Sequence, residues 1–245
     1  QKTRYMASCI PRCRRPMLQD GVVLSIFLRE RGHAIFLIIY VDSLSGAPIT
    51  YGFKMNGLKR KDLLDIQSLT TEEISLICQS ARYFKDLFTR SVKTVPILRG
   101  KTVCTLFYEP STRTRLSFET AMLRLGGLVV SVAEAKSSSS AAKGETLFDT
   151  GKMIEGYSDV AVIRHPVVGS AKELADGSGA PVINGGDGAG QHPTQALLDL
   201  YTIRKEKGKV DGMTVCLAGD LKNGRTVHSL SNLLSNYDVN LFFAS

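Results

Sequence analysis

The sequence predicts an α/β protein made of two parallel-sheet domains, the second of them truncated. Downstream of Met55, short apolar runs alternate with helical patterns, and this alternation is typical of βαβ units with a parallel sheet. A long helical pattern over residues 192–207 would bridge two such domains. Only a strand, a helix and a strand follow it before Ser245, which are too few strands to cover both faces of a parallel sheet. We therefore expect that the chain ends inside the second domain.

Charge and hydropathy set the first 55 residues apart from the rest. Residues 1–55 carry 8 Lys or Arg and 3 Asp or Glu, whereas residues 56–245 carry 23 and 20. The formal net charge of +8 therefore belongs mostly to the N-terminal segment, and it does not favour binding of nucleic acid by the folded part.

The apolar runs of the N-terminal segment are shorter than the ~20 residues of a membrane span, so no membrane partner is expected. We interpret the segment as a basic extension, either disordered or a gene-model artefact upstream of Met55; an organelle transit peptide is the alternative.

The elements follow one another regularly after this segment. The first helix begins with a capping box formed by Thr70 and Glu73. Apolar residues then recur on one face of this helix at Ile74, Ile77 and Phe84. Further helices are predicted over residues 114–125, 145–156, 171–175, 192–207 and 226–237, and strands over residues 102–107, 128–133, 159–164, 181–184, 213–218 and 239–244.

The five cysteines indicate a reducing compartment. Cys78, Cys104 and Cys216 lie in apolar runs and are predicted to be small core residues, which favours a cytoplasmic location. Cys9 and Cys13 form a C-x3-C pair without a matching second pair, so a zinc site is disfavoured. No other spacing typical of metal ligands is present, and we expect neither a metal ion nor a cofactor.

The stretch FYEPSTRTRLSFE predicts an anion site. Ser111, Thr112, Arg113 and Thr114 follow the strand predicted over residues 102–107, at the start of a helix. Hydroxyl groups and free backbone N–H groups at a helix N-terminus bind anions, and an adjacent arginine adds charge-assisted hydrogen bonds. The alternative is a capped helix with solvated arginines. Neither of the two common glycine-rich nucleotide fingerprints accompanies the stretch.

Three further loops of the first predicted domain and one of the second carry polar side chains at strand ends. In a parallel sheet, ligands bind beyond the carboxyl ends of the strands, so these side chains are candidates for the same site. The alternatives are a flexible polar linker for the serine-rich loop and a simple helix cap for the histidine. The candidates are Ser139 and Lys143 in SSSSAAKGETL, Arg164 in VIRHP, His192 and Gln195 in GQHPTQ, and Arg225 in NGRTVHSL.

Taken together, these motifs resemble the carbamoyltransferase family, and within it the branch that uses aspartate. The strings FYEPSTRTRLSFE, SSAAKGETLFDT, VIRHP, GDGAGQHPTQALLDLYTI and GDLKNGRTVHSL stand in the order and approximate spacing of that family, over residues 56–245. The lysine of AAKGETL and the arginine of GRTVHSL favour the aspartate branch over the ornithine branch. The resemblance implies transfer of a carbamoyl group from carbamoyl phosphate to the amine of L-aspartate, a step of de novo pyrimidine (UMP) biosynthesis.

The resemblance also implies roles for the candidate residues toward carbamoyl phosphate. Residues 111–114 would hold its phosphate group. Thr114, Arg164 and His192 would contact its carbonyl oxygen and would be the catalytic set. Gln195 would hold the carbamoyl amino group. By this resemblance, residues 56–200 form the carbamoyl phosphate-binding domain and residues 201–245 an incomplete aspartate-binding domain.

For aspartate and for assembly, the resemblance implies a shared site. Arg225 would bind a carboxylate of aspartate. Ser139, toward carbamoyl phosphate, and Lys143, toward aspartate, would reach into the site of a neighbouring subunit, because catalytic chains of the family form homotrimers. The resemblance leaves room for a regulatory chain and implies no cofactor.

Two alternatives remain at the level of sequence. One is an ornithine or other carbamoyltransferase. The other is an inactive assembly module, since a later arginine-bearing loop and a proline–leucine pair of the family have no counterpart before Ser245. Residues 1–55 also match nothing in the catalytic chains of the family.

Overall fold

The structure, a computed structural model, describes residues 60–85, 90–135 and 144–245. The interpretation of residues 1–55 as a basic extension lies outside the described residues. Among the helices described, none is long and apolar enough to cross a membrane.

A four-stranded parallel sheet forms the centre of the molecule. Its strands are β1 (Thr102–Phe107), β2 (Leu128–Ala133), β3 (Val160–His165) and β4 (Val182–Asp187), in the order β2-β1-β3-β4. All three neighbouring pairs are parallel. Because the chain moves from β1 to one side for β2 and then to the other side for β3, the sheet has a switch point between β1 and β3. The prediction of an α/β fold with a parallel sheet is confirmed.

Helices cover both faces of this sheet. Those within the described residues are α1 (Thr71–Lys85), α2 (Thr112–Arg124), α3 (Leu147–Ile154), α4 (Ser170–Gly177), α5 (Pro193–Lys207) and α6 (Arg225–Leu234). One core lies between the sheet and α1, α2 and α5 and contains Phe107, Phe118 and Leu200; the other lies between the sheet and α3 and α4 and contains Leu106 and Leu174. β1, β3 and β4 are almost entirely buried, as is typical of strands covered on both faces.

The capping box predicted at the start of α1 is present. The backbone N–H of Glu73 donates to the Thr70 hydroxyl oxygen at 3.2 Å, and the N–H of Thr70 donates to the Glu73 carboxylate at 2.9 Å. Arg60 adds an ion pair with Glu73 at 2.8 Å. The predicted apolar face of α1 is buried in the core, where it includes Ile74, Ile77 and Phe84.

A second, two-stranded parallel sheet follows α5. Its strands are β5 (Met213–Ala218) and β6 (Val239–Ala244), paired in parallel with α6 between them in the chain. One prediction is wrong here, because Cys216 is exposed rather than part of a core. Cys216 and its partner Phe242 in the ladder lie on a face of the sheet that no described residue covers. Cys78 and Cys104 are buried, as predicted.

Two glycines allow α3 and α4 to pack backbone against backbone. A Cβ atom on Gly151 would collide with the carbonyl oxygen of Leu174, and one on Gly177 would collide with the carbonyl oxygen of Phe148. Both carbonyls are held in their helices, so neither can move aside without cost. The close approach fixes α3 beneath the sheet and thereby fixes where the loop before α3 must end.

Gly151→Ala should therefore lower the free energy of unfolding by about 1–3 kcal/mol, the usual cost of overpacking a core. Gly156→Ala is the matched control, since its Cβ would lie 3.4 Å from the Met153 carbonyl oxygen, an ordinary contact. Urea unfolding of both variants measures the difference. Equal stabilities of the two variants would contradict the proposed backbone packing.

Candidate functional site

The candidate site lies at the switch point of the main sheet, beyond the carboxyl ends of β1 and β3. The β1 and β3 segments remain hydrogen-bonded one residue past the end of β1, where the Tyr108 N–H donates to the Arg164 carbonyl oxygen at 2.9 Å. They then separate, β1 leading into α2 and β3 into α4. Crevices of this kind are where open α/β sheets bind their ligands.

The N-terminus of α2 faces this crevice with its donors available. Ser111 is the N-cap, in extended conformation at φ −158°, and its side chain makes no capping hydrogen bond. Thr112 and Arg113 are exposed, Thr114 is buried, and no acidic residue lies in the first turn. The positive end of the helix dipole and the free N–H groups therefore remain available to an anion.

Arg164 lies near the end of β3 and points across the crevice. Its Nη1 donates to the Gly185 carbonyl oxygen at 3.1 Å and its Nη2 to the Glu109 carboxylate at 2.7 Å. Its Nε is buried and makes no hydrogen bond to any residue that the structure describes. Burial, together with the like charge of Arg225, lowers the pKa of Arg164. A guanidinium nevertheless stays charged in proteins, so a buried cation with a free donor lies in the crevice.

Arg225 reaches the same point from the second sheet. It is the first residue of α6, and its Nη2 donates to the Glu109 carboxylate at 2.6 Å. Its Nη1 is buried and, within the described part of the chain, has no hydrogen-bond partner. Glu109 thus binds two arginines that come from the two different sheets.

The two arginines determine the charge state of Glu109. Burial by itself raises the pKa of this carboxyl, but the hydrogen bonds and charges of Arg225 and Arg164 outweigh it. The pKa of Glu109 therefore lies below its ordinary value, and the group is ionised at neutral pH. One carboxylate faces two guanidinium groups, so this cluster retains a net positive charge.

Gly186 marks the place where three of the predicted residues meet. A Cβ atom there would lie 2.9 Å from Arg164 Nη1, 3.3 Å from Arg225 Nη1 and 3.4 Å from His192 Cδ2. Gly186 also has a φ of +118°, which side-chain-bearing residues rarely adopt. The absence of a side chain is therefore required on two counts, and it leaves the arginines and the imidazole in reach of one ligand.

His192 and Gln195 stand at the start of α5. His192 is the N-cap residue, but its side chain makes no capping hydrogen bond, so the capping alternative is wrong. Both side chains are largely buried, and the Nε2 of Gln195 donates to Asp199 at 2.9 Å. The backbone N–H of His192 donates to the Ser229 hydroxyl oxygen at 2.8 Å, which ties the start of α5 to α6.

Thr114 lies beside β4, since a Cβ atom on Gly185 would be 3.7 Å from its Cγ2. Thr114 thus connects the start of α2 with the Gly185–Gly186 pair around which the arginines gather. The structure brings together predicted residues from β3, α2, α5 and α6. Ser139 and Lys143 lie outside the described residues.

Two acidic residues were missed by the sequence reasoning. Glu109 lies in the very stretch that predicted the anion site, and its position directly after β1 was the available signal. Asp187, at the end of β4, is buried and accepts hydrogen bonds from the N–H groups of Gly169 at 2.9 Å and Gln191 at 2.7 Å. Asp187 therefore joins the loop after Arg164 to the loop before His192.

Comparison with known proteins shows the family of the chain. The family model described as "Aspartate/ornithine carbamoyltransferase, carbamoyl-P binding domain" matches residues 61–205. The aspartate carbamoyltransferase catalytic subunit of Archaeoglobus fulgidus is 53% identical over 185 residues, which are 76% of this chain and 61% of that protein. Aspartate carbamoyltransferase 1, chloroplastic, of Pisum sativum is 54% identical over 185 residues, 75% of this chain and 48% of that protein.

The chain is also similar to solved structures of aspartate transcarbamoylases. The catalytic subunit of M. Jannaschii aspartate transcarbamoylase has a TM-score of 0.70 at 50% identity and covers 76% of this chain and 60% of that one. Aspartate transcarbamoylase from Trypanosoma cruzi in complex with N-(phosphonacetyl)-L-aspartic acid has a TM-score of 0.69 at 42% identity, over 75% of this chain and 59% of that one. The chain spans about three fifths of the length of the first curated relatives it matches.

The shared carboxylate gives a prediction about pH. Because its pKa is lowered in the folded chain, Glu109 contributes stability above its unfolded pKa of about 4.3, and this stability is lost as pH falls through the folded pKa. Glu109→Gln should lower the melting temperature at neutral pH, and the deficit should shrink as the pH falls below the ordinary range of a glutamate and through the lowered folded pKa, because the wild-type carboxylate is then protonated as well. Melting curves from about pH 3 to pH 7 measure this. Glu173→Gln, on the exposed side of α4, is the control and should show no such trend; a pH-independent deficit for Glu109→Gln would contradict the assignment.

Proposed function

The chain belongs to the aspartate/ornithine carbamoyltransferase family, and from that premise we propose that it acts in the transfer of the carbamoyl group of carbamoyl phosphate to L-aspartate. The products are N-carbamoyl-L-aspartate and phosphate, and the reaction is a step of de novo pyrimidine (UMP) biosynthesis. The observation that carries this proposal is the gathering of Arg164, Arg225 and His192 around Gly186, beside the free N-terminus of α2. Both substrates are anions, and this cluster is cationic.

The phosphate group of carbamoyl phosphate binds at the start of α2. Ser111, Thr112, Arg113 and Thr114 supply hydroxyl groups, backbone N–H groups and one guanidinium there. Thr112 and Arg113 are exposed in the crevice, so the phosphate reaches them without rearrangement of the core. Each charge-assisted hydrogen bond to a phosphate is about twice as strong as a neutral one.

The carbonyl oxygen of carbamoyl phosphate binds among Thr114, Arg164 and His192. When the aspartate amine attacks the carbonyl carbon, negative charge develops on that oxygen, and the departing phosphate gains charge as well. The buried and unpaired Nε of Arg164 is a donor held ready for this charge. Donors fixed in advance stabilise the transition state more than the ground state, which is how they accelerate the reaction. Gln195, at the same helix start, holds the carbamoyl amino group.

Aspartate binds on the side of the second sheet. The Nη2 of Arg225 donates to Glu109, which orients the guanidinium, while its buried Nη1 has no partner among the described residues and is available to a carboxylate. Holding the two substrates side by side then contributes to the rate through proximity. Lys143 supplies a further cation toward aspartate, and Ser139 a hydroxyl toward carbamoyl phosphate, both from a neighbouring subunit.

A homotrimer with shared sites is part of the proposal. Support comes from an apolar edge of the molecule where β2, which among the described strands pairs only with β1, meets the outer side of α2. Its exposed side chains are Leu116, Leu123, Leu128 and Val130, of which Leu128 is 61% exposed. An exposed edge strand with apolar side chains calls for a covering partner, and Ser139 and Lys143 follow this strand closely in the sequence.

We place the reaction in the cytoplasm. Cys78 and Cys104 are free and buried, and burial raises the pKa of Cys104 to about 11, so this thiol is protonated and inert at neutral pH. Free core thiols are typical of reducing compartments. No cofactor or metal ion takes part in the proposed reaction.

The decisive experiment offers the purified full-length protein carbamoyl phosphate with L-aspartate or L-ornithine and separates the products. We expect N-carbamoyl-L-aspartate and no carbamoyl-ornithine from it, whereas residues 56–245 alone should bind carbamoyl phosphate weakly and turn it over little or not at all. Arg164→Ala should reduce the rate at least tenfold, because removing one transition-state donor costs about 10²–10³ in kcat and the neighbouring donors remain. Lys172→Ala, on the exposed side of α4, is the matched loss of a cation and should leave the rate unchanged. Carbamoyl-ornithine as the only product would contradict the proposed function.

The trimer is tested by mass in solution. Leu128→Asp places a charge in the apolar edge and should dissociate the trimer, because an unpaired charge is costly to bury in an interface. Met153→Asp is the matched control, since Met153 is also exposed, at 47%, but lies on α3 at the opposite face of the sheet. Sedimentation equilibrium should give trimers for the wild type and the control, and monomers for Leu128→Asp. A monomeric wild type would contradict the assembly.

A further inference from the structure

His228 on α6 has contacts that the proposed reaction does not use. Its Nδ1 lies 2.9 Å from the carbonyl oxygen of Ala189, and its Nε2 lies 2.8 Å from the carbonyl oxygen of Leu221. Carbonyl oxygens only accept hydrogen bonds, so whichever ring nitrogen carries a proton donates to the carbonyl that faces it. The imidazole of His228 therefore bridges two carbonyl oxygens.

The two carbonyls belong to the two halves of the candidate site. Ala189 lies in the loop between Asp187, the last residue of β4, and His192. Leu221 lies in the loop between β5 and α6. His228 is one turn along α6 from Arg225, so it fastens the loop before His192 to the helix that begins with Arg225.

His228 and Arg225 bind different partners although they lie on the same helix. The Nη2 of Arg225 donates to the Glu109 carboxylate, whereas the ring nitrogens of His228 face the carbonyl oxygens of Ala189 and Leu221. The two side chains therefore attach α6 to different parts of the site.

We propose that His228 is a positioning residue: its imidazole, which bridges the carbonyl oxygens of Ala189 and Leu221, holds Arg225 at the distance from His192 that a ligand spanning both halves of the site requires. This inference rests on the proposed function for the identity of that ligand. Phosphate alone occupies only the α2 side and does not need the clamp. A compound with a phosphonate and a dicarboxylate in one molecule needs both halves.

The test compares His228→Ala with two variants whose side-chain amide keeps a donor nitrogen, His228→Asn and His228→Gln. Thr226→Ala, an exposed position on the same helix, is the control. Isothermal titration measures the binding of inorganic phosphate and of N-(phosphonacetyl)-L-aspartic acid. We expect about tenfold weaker binding of the phosphonate compound by His228→Ala, about the effect of one lost hydrogen bond, and phosphate binding equal to that of the wild type. The amide variants should bind the phosphonate compound more tightly than His228→Ala and more weakly than Thr226→Ala.

A measurement without ligand separates this inference from the proposed function. Hydrogen exchange of the backbone amides of residues 188–192 should be faster in His228→Ala than in Thr226→Ala, because the loop loses its attachment. Exchange and phosphonate binding that match those of Thr226→Ala would overturn the clamp. If the wild type binds neither ligand, the proposed function is wrong, and faster exchange in His228→Ala still supports the clamp while unchanged exchange overturns it.

Discussion

The carboxylate of Glu109 is the interaction on which the site depends. It accepts a hydrogen bond from Arg164 at 2.7 Å and from Arg225 at 2.6 Å, and these arginines come from different sheets. Without an anion between them, two partly buried guanidinium groups would repel each other at the place where the sheets meet. Glu109 removes enough of this repulsion to let them approach, yet one carboxylate cannot neutralise two cations. The crevice therefore remains positive, and its positive charge is held in a fixed geometry.

The sequence was a good guide to the strands, for a physical reason. Four strands, β1, β2, β5 and β6, have the predicted bounds. A short apolar run between turns can bury its side chains in few ways other than as a strand of a sheet. β4 was predicted only to residue 184 but continues to Asp187, since Gly185 and Gly186 carry no apolar signal although both are buried. Cys216 was placed wrongly because an apolar run shows that a strand forms, not which of its faces another element covers. Helix ends differ from the prediction by at most three residues, as expected where capping competes with fraying.

The location of the site could also be predicted from the sequence, but two of its acidic residues could not. The rule that ligands bind beyond the carboxyl ends of parallel strands selected Arg164, His192 and Arg225 from three separate loops, and the structure gathers them around Gly186. Glu109 was not predicted, because an acidic side chain is unfavourable in an anion site unless cations such as Arg164 and Arg225 pair with it. Those partners are 55 and 116 residues away in the chain, and no local pattern reports such a pairing. Asp187 was also not predicted, because its role is to accept hydrogen bonds from backbone N–H groups of two different loops, which the local sequence does not indicate.

Two donors that have no partner among the described residues explain why such an arrangement would be kept. A buried donor without a partner costs about 1–3 kcal/mol, and more when it is charged, so Arg164 Nε and Arg225 Nη1, for which the described part of the chain offers no acceptor, lower the stability of the site. Ligand oxygen atoms that accept from these donors recover that free energy upon binding. If charge grows on such an oxygen during a reaction, the recovery is larger in the transition state than in the ground state, which is the condition for catalysis. The cost of burying these donors and the capacity of the site to stabilise growing negative charge thus have the same origin, two guanidinium groups whose positions Glu109 fixes.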